Sequence, residues 1–341
     1  MSEQFREIFG PYKEMSVRYD RNQEALWCYF KPLRSPCLSP LMLGEARQIQ
    51  KSVISYFESG TGQEKFPVKY LVIASQSPGV FNLGGDLGLL VNLIEQGDRD
   101  QLVDYATGCV DFFYLNSINL GLPLTTISFV EGAALSGGLE SAISCNYLIA
   151  EKHCQMGLPE IRYNLFPGMG GYSFLARKLG LVRAEKIITT GKVHSGPKLF
   201  KMGLIDILAE SGKGYEAVNC FIRKHRRAAN GLRAIQVVKQ QYNPLIYDEL
   251  IDIANIWVDT ALKLDRKDLK HMARFVYAQS RGGITAEHRP HGTHLVRTRQ
   301  DRRIPHPETS FPLVDNSGNS ILYERRKALD RRAVEIMQVD N

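Results

Sequence analysis

The 341-residue chain has few cysteines, and they do not cluster. Cys28, Cys37, Cys109, Cys145, Cys154 and Cys220 are scattered, with no C-x-x-C pair. This excludes a disulfide scaffold and a zinc ribbon, and it predicts free thiols in a reducing cytoplasm. Long apolar runs are missing as well. The most apolar stretch, residues 118–139, contains Pro123, Glu131 and four glycines, so it makes a poor membrane span. The N-terminus, MSEQFREIFGPYKEMSVRYD, lacks the apolar segment of a secretory leader, and none is expected. G-x-G-x-x-G, G-x-x-x-x-G-K-[ST] and G-x-S-x-G are all absent. Dinucleotide, P-loop and serine-hydrolase signatures therefore drop out.

What is present is ordinary globular material. Hydrophobic residues make up 44% and charged residues 23%, which supplies a core and excludes disorder over most of the chain. The net charge is +7. Such a balance suits nucleic acid, an anionic membrane or an acidic partner such as a carrier protein, and it also suits a plain basic protein.

Residues 21–32 read as a strand around Leu26–Phe30. Over 38–59, Leu43, Ala46, Ile49, Val53 and Tyr56 recur at steps of three and four, which predicts a helix. Residues 68–74 form an apolar run of strand length, ended by Ser75-Gln76-Ser77-Pro78-Gly79. VFNLGGDLGLL follows, and then helical sequence from Asp86 to about Asn119. The β-branched and aromatic residues of 124–130 predict a second strand, and 145–150 a third. Strands alternating with helices predict an α/β fold with buried strands. Helical periodicity at 216–229, 231–242, 246–264 and 267–281 predicts a helical C-terminal region. From Gly282 onward, Pro290, Pro305, Pro307 and Pro312 break the pattern. A charged, partly flexible extension is expected over 282–341, with a last helix at 320–337.

Three segments carry chemistry. The first is Phe81-Asn82-Leu83-Gly84-Gly85-Asp86-Leu87. The second runs from Gly132 through Ser136-Gly137-Gly138 to Glu140. The third is Met156-Gly157-Leu158-Pro159-Glu160, followed by Phe166-Pro167-Gly168-Met169-Gly170-Gly171. The first two place a glycine-rich turn between a strand and a helix, so that backbone N–H groups converge as an oxyanion hole does. Glu140 and Glu160 flank that point. Two carboxyls in a partly apolar pocket do not both ionise easily, so one holds a proton. An acid beside a base suits the addition or removal of water. Each part alone has a plainer reading, as a turn or as a helix-start charge; their order together favours the site.

That order resembles the crotonase (enoyl-CoA hydratase/isomerase) superfamily over roughly residues 20–281. The resemblance implies a crotonase fold, a spiral of ββα units with a helical C-terminal region. It divides the chain into a spiral core at 1–226, a helical oligomerisation region at 227–281 and an extension at 282–341. It also implies that the N–H groups of Leu83 and Gly137 hold the thioester oxygen, and that Glu140 and Glu160 act as the acid–base pair of the hydratase branch. VFNLGGDL, MGLPE, FPGMG, IWVDTALKL and AQSR further resemble the bacterial diffusible-signal-factor (DSF) synthases of the RpfF type. Those enzymes dehydrate a 3-hydroxyacyl thioester on acyl carrier protein and then hydrolyse it. Substrate contacts at Gly84, Gly85, Gly138, Met169, Trp257 and Phe275 follow from the resemblance. For Trp257 and Phe275, ordinary helix packing is the alternative. Ser136 departs from the pattern, since many crotonases have glycine there.

The partners implied are an acyl-ACP or acyl-CoA substrate, further copies of the chain in a homotrimer or hexamer, and a regulatory protein. No cofactor is expected. His288, His291 and His294 have a spacing that could bind metal, but Pro290 and Gly292 disfavour the helix it needs, so no metal is expected. Arginine clusters at 297–303 and 325–332 are interrupted by acids and lack aromatic platforms, so nucleic-acid binding is not expected. Arg223-Lys224-His225-Arg226-Arg227 reads as a solvated helix end or a carrier-protein contact. Two rival functions remain: an enoyl-CoA hydratase of fatty-acid metabolism, and an inactive docking protein on the same core.

Overall fold

The computed structural model describes residues 9–60, 67–280, 313–314 and 320–321. It divides into two compact units, Met1–Glu287 and His288–Asn341. In the first, a six-stranded sheet has the order β1 (Met15–Asp20), β2 (Ala25–Phe30), β3 (Tyr70–Ser75), β5 (Thr125–Val130), β7 (Tyr147–Glu151), β10 (Ile207–Ala209). The β1–β2 pair is antiparallel and the other pairings are parallel. A second sheet joins four three-residue strands, β4 (Val80–Asn82), β6 (Ala133–Leu135), β8 (Gln155–Gly157) and β9 (Val193–Ser195).

Why a strand such as β2 reads as an unbroken apolar run follows from where its side chains go. Leu26, Cys28 and Phe30 enter the main core, while Ala25, Trp27 and Tyr29 enter a second core on the opposite face. Successive residues of a strand point to opposite faces, and here both faces are covered. Each fully buried Leu, Ile or Phe contributes about 1.5–3 kcal/mol relative to exposure.

The helices in chain order begin with α1 (Pro40–Glu58), α2 (Leu87–Gln96), α3 (Arg99–Ser117) and α4 (Gly137–Ser144). Ser39 caps α1 by accepting from the Met42 N–H, and its apolar positions are buried as the period predicts. The helix expected from Asp86 to Asn119 is two helices. Gly97 turns left-handed at φ 68° and Asp98 caps the second. Next come α5 (Gly171–Leu179), α6 (Leu181–Thr190), α7 (Gly196–Met202) and α8 (Gly214–Arg227), which covers the second core through Val218 and Ile222. The late helices are α9 (Ala229–Tyr242), α10 (Tyr247–Ala261) and α11 (Arg266–Ser280).

In the second unit, β11 (Leu313–Val314) pairs with β12 (Ser320–Ile321) antiparallel. The helix expected at 320–337 thus begins with strand residues, and the rest of that span lies outside the described residues. So do His288, His291, His294 and both late arginine clusters. Among the described residues, no helix is long and apolar enough to cross a membrane.

Candidate active site

Two strand-to-helix turns meet at one end of the small sheet. In the first, β4 runs through Leu83, Gly84 and Gly85 into α2, which Asp86 caps through the Leu89 N–H. In the second, β6 runs through Ser136 into α4. The turns touch. Gly84 has φ +94°, and a Cβ on it would lie 2.5 Å from the Ser136 Cβ. Glycine is required there by conformation and by space.

Which N–H groups are free decides the chemistry. The Leu83 N–H donates to the Pro36 carbonyl at 2.7 Å, and the Gly84 N–H to the Asn82 side-chain oxygen at 2.8 Å. Among the described residues, those of Gly85 and Gly137 meet no acceptor. Both residues line a small cavity, and the Gly85 nitrogen lies 3.5 Å from the place a Gly137 Cβ would take. The Leu83 N–H expected as an oxyanion donor is thus spent on Pro36, and the free N–H groups at the cavity belong to Gly85 and Gly137. Leu83 turns its side chain into an apolar cluster with Val80, Ala133 and Leu135. Gln279, on the last turn of α11, donates to the Leu83 and Gly85 carbonyls at 3.0 Å each. That clamp holds the first turn by its oxygens and leaves the Gly85 nitrogen facing inward.

Glu140, in the first turn of α4, is buried. One of its oxygens accepts from Met169 N–H at 3.1 Å and Gly171 N–H at 2.8 Å. Burial pushes its pKa up to about 7, and the two N–H groups pull it back. Glu160 opens a 3-10 turn, Glu160–Tyr163. Burial, then the nearby Glu140, push it up to about 8, while its own backbone N–H and the Ser136 side chain pull it down. Its Oε2 is buried and has no hydrogen-bond partner. An orphaned carboxyl oxygen costs stability, on the order of 1–3 kcal/mol or more, and such costs gather where chemistry is done.

The cavity between them measures about 30 Å³, with Leu38, Leu90, Phe113, Tyr163, Trp257 and Met272 among its walls. That is room for about one water. Met169 and Trp257 line the cavity. Gly84, Gly138 and Phe275 do not. Gly84 and Gly138 serve the turns from behind, and Phe275 stacks edge-on against Tyr163, centroids 5.3 Å apart. Tyr163, Ser136 and Met272 were not foreseen as site residues. Tyr163 was findable, because residues three apart eclipse on a 3-10 turn that starts at Glu160. A larger cavity of about 470 Å³ includes Lys178 and Asp206, already paired with each other at 2.7 Å. Of the basic cluster on α8, His225 is buried against Tyr70, and Arg226 donates to the Asn22 carbonyl, so its ring and guanidinium are structural. Among the described residues, no group of three or more metal-ligating side chains converges.

The chain is similar to several known proteins. The chain is 29% identical over 198 residues to mitochondrial methylglutaconyl-CoA hydratase 1 of Pyricularia oryzae, covering 53% of this chain and 55% of that protein. It spans about half or less of the length of the curated relatives it matches. Its fold is similar to an enoyl-CoA hydratase from Bacillus halodurans, with TM-score 0.63 at 16% identity over 77% of this chain and 100% of the other. It is also similar to Pseudomonas aeruginosa DspI, with TM-score 0.56 at 23% identity over 67% and 86%. The fold is thus the crotonase fold, an α/β spiral. The sequence model described as enoyl-CoA hydratase/isomerase matches residues 50–268, which hold both turns and both glutamates, and the chain belongs to that family.

Proposed function

We propose that the chain is a 3-hydroxyacyl-thioester dehydratase that also cleaves its enoyl thioester, releasing a cis-2-unsaturated fatty acid of the DSF type. The observation that carries the water chemistry is the buried Glu140–Glu160 pair facing the two free N–H groups. The thioester oxygen accepts from Gly85 and Gly137, where enolate charge develops; one such donor is typically worth ~3 kcal/mol. Glu160 takes the C2 proton and Glu140 protonates the departing 3-hydroxyl. None of these steps calls on a cofactor. The DSF product rests on the sequence resemblance. The +7 charge suits an acidic carrier protein.

A second reading has its own observation. Two backbone N–H groups hold Glu140 as a carboxylate, while the unpartnered oxygen of Glu160 suits the protonated form. With the shared proton on Glu160, the pair is set to add water to an enoyl thioester, as an enoyl-CoA hydratase does. Dehydration is the same path reversed and starts once the proton has moved to Glu140. An inactive docking protein is disfavoured, because it has no use for the strain of this pair.

Assembly into a homotrimer or hexamer is part of the proposal. α9 buries none of its residues and exposes Ile235, Val237, Val238 and Tyr242, an apolar face that copies of the chain would cover. Incubation of the full chain with 3-hydroxyacyl-ACP and with 3-hydroxyacyl-CoA, followed by mass spectrometry, tests the function. Free 2-enoic acid supports the first reading. An equilibrium of hydroxyacyl and enoyl thioesters without free acid supports the hydratase. No conversion of either substrate overturns both.

A further inference from the structure

Water addition and removal give the hydroxyl of Ser136 no step of its own, although it hydrogen-bonds the Glu160 and Tyr163 side chains in the cavity. The Ser136 backbone has φ 53° and ψ −131°, a region that residues with a Cβ rarely occupy and that costs of order 1–3 kcal/mol. Ser136 stands at the N-terminus of α4, where serine commonly caps, yet it makes no side-chain cap bond. It is also partly accessible between buried neighbours, Ala133–Leu135 before it and Gly137–Glu140 after it. The side chain thus bears strain without capping the helix, and its hydroxyl meets the Glu160 carboxyl instead.

A serine strained between the end of a strand and the start of a helix is the geometry of a nucleophile elbow. There the turn pushes Oγ outward, and the N–H of the next residue forms half of the oxyanion hole. Each part of that device is present. β6 ends at Leu135 and α4 begins at Gly137, whose free N–H faces the cavity with that of Gly85. Close packing on either side of an elbow demands small residues two positions before and after. Ala134 and Gly138 hold those places, and a Cβ on Gly138 would lie 2.1 Å from the Asn82 carbonyl oxygen. The sequence escapes the G-x-S-x-G pattern because alanine replaces the first glycine. The Glu160 carboxyl, with its unpartnered oxygen, lines the same cavity.

Building on the thioester reading above, we propose that Ser136 is the nucleophile that takes the acyl group from its thiol carrier. With the pair's shared proton on Glu140, Glu160 accepts the Oγ proton as Oγ bonds to the thioester carbon. The carbonyl oxygen becomes an oxyanion held by Gly85 and Gly137. The carbon–sulfur bond breaks, and the departing sulfur takes the proton from Glu160 and leaves as thiol. Water then attacks the Ser136 ester and gives its proton to Glu160. The serine oxygen leaves with that proton, and the free acid is released. The sum is thioester plus water giving acid plus thiol.

Two thioesters of N-acetylcysteamine separate this proposal from the one it rests on. The decanoyl thioester can be hydrolysed but not hydrated; the trans-2-decenoyl thioester reports hydration. Full-length wild type, Ser136→Gly and Ser136→Cys are compared by product mass spectrometry and by acid-quenched peptide mapping. Glycine relieves the strained backbone, so that variant folds. The expected result is a decanoyl adduct on the Ser136 peptide of wild type, and a longer-lived one on Ser136→Cys. In Ser136→Gly, the ratio of thiol release to hydration falls on the order of 10²-fold or more. Thiol release at the wild-type rate by Ser136→Gly, an adduct on another residue, or no thiol release by wild type overturns the nucleophile. Thiol release with no hydration of the decenoyl thioester overturns the water chemistry instead and leaves Ser136 standing.

Discussion

The Gln279 side-chain amide reaches back across 194 positions of sequence to the Gly85 carbonyl, 3.0 Å away. It shares its two hydrogens with the Leu83 carbonyl at the same distance. A loop held by its carbonyls keeps its nitrogen in register with that of Gly137. Gln279→Ala should lower kcat by roughly tenfold, the worth of about 1–1.5 kcal/mol in lost hydrogen bonding. KM should move less, because the residue positions a transition-state donor. Equal losses in kcat and in melting temperature across unrelated α11 variants would show general loosening instead.

Glu140→Gln and Glu160→Gln keep the size of the side chains and remove the acid–base function. Each should lower hydration and dehydration by roughly 10²–10⁴-fold, with an unchanged circular dichroism spectrum. A folded Glu160→Gln protein with full activity would refute the assigned pair.

Burial holds both carboxyls above the ordinary value of 4.5, at about 7 and about 8. The unfolded chain therefore loses these protons first as pH rises. Stability from the pair is complete below about pH 4.5 and is lost as pH climbs through about 7 and 8. Glu160→Gln should melt above wild type near pH 9 and close to it near pH 5. For the same reason kcat/KM should trace a narrow bell, since one proton on the pair is the working state. A flat profile from pH 5 to 9 would exclude the shared proton.

Trp257 is 3% exposed and presses on Gly168, where a Cβ would lie 2.3 Å from its ring. It is at once core and cavity wall. Trp257→Ala should destabilise by roughly 3–5 kcal/mol and shift preference toward longer or bulkier acyl chains. Thermal melting and a substrate-length series measure the two effects. A large stability loss with unchanged preference would assign it to packing alone.

β3, β5 and β7 were legible in the sequence because burial on both faces fills them with apolar, β-branched and aromatic residues. β1, reading MSVRYD, was not, because it lies at the sheet edge with most of its side chains half-buried or exposed. β4, β6, β8 and β9 have three residues each, too few to show a period. Glu140 and Glu160 were legible from their spacing and flanking glycines. The choice of Gly85 over Leu83 was not, because it depends on the Pro36 carbonyl, which only the folded loop brings near. The elbow at Ser136 was hidden for a similar reason. Its motif lacks a glycine, and only the backbone angles reveal the turn.

The site draws its acid, base and oxyanion donors from residues 85–160, but its far wall and its clamp come from Trp257, Met272 and Gln279. Synthesis runs from the N-terminus, so a chain still on the ribosome can build the spiral well before α10 and α11 have left the exit tunnel. During that interval the first turn lacks its clamp and the cavity stands open to water. The candidate site is therefore complete only when the last helix docks.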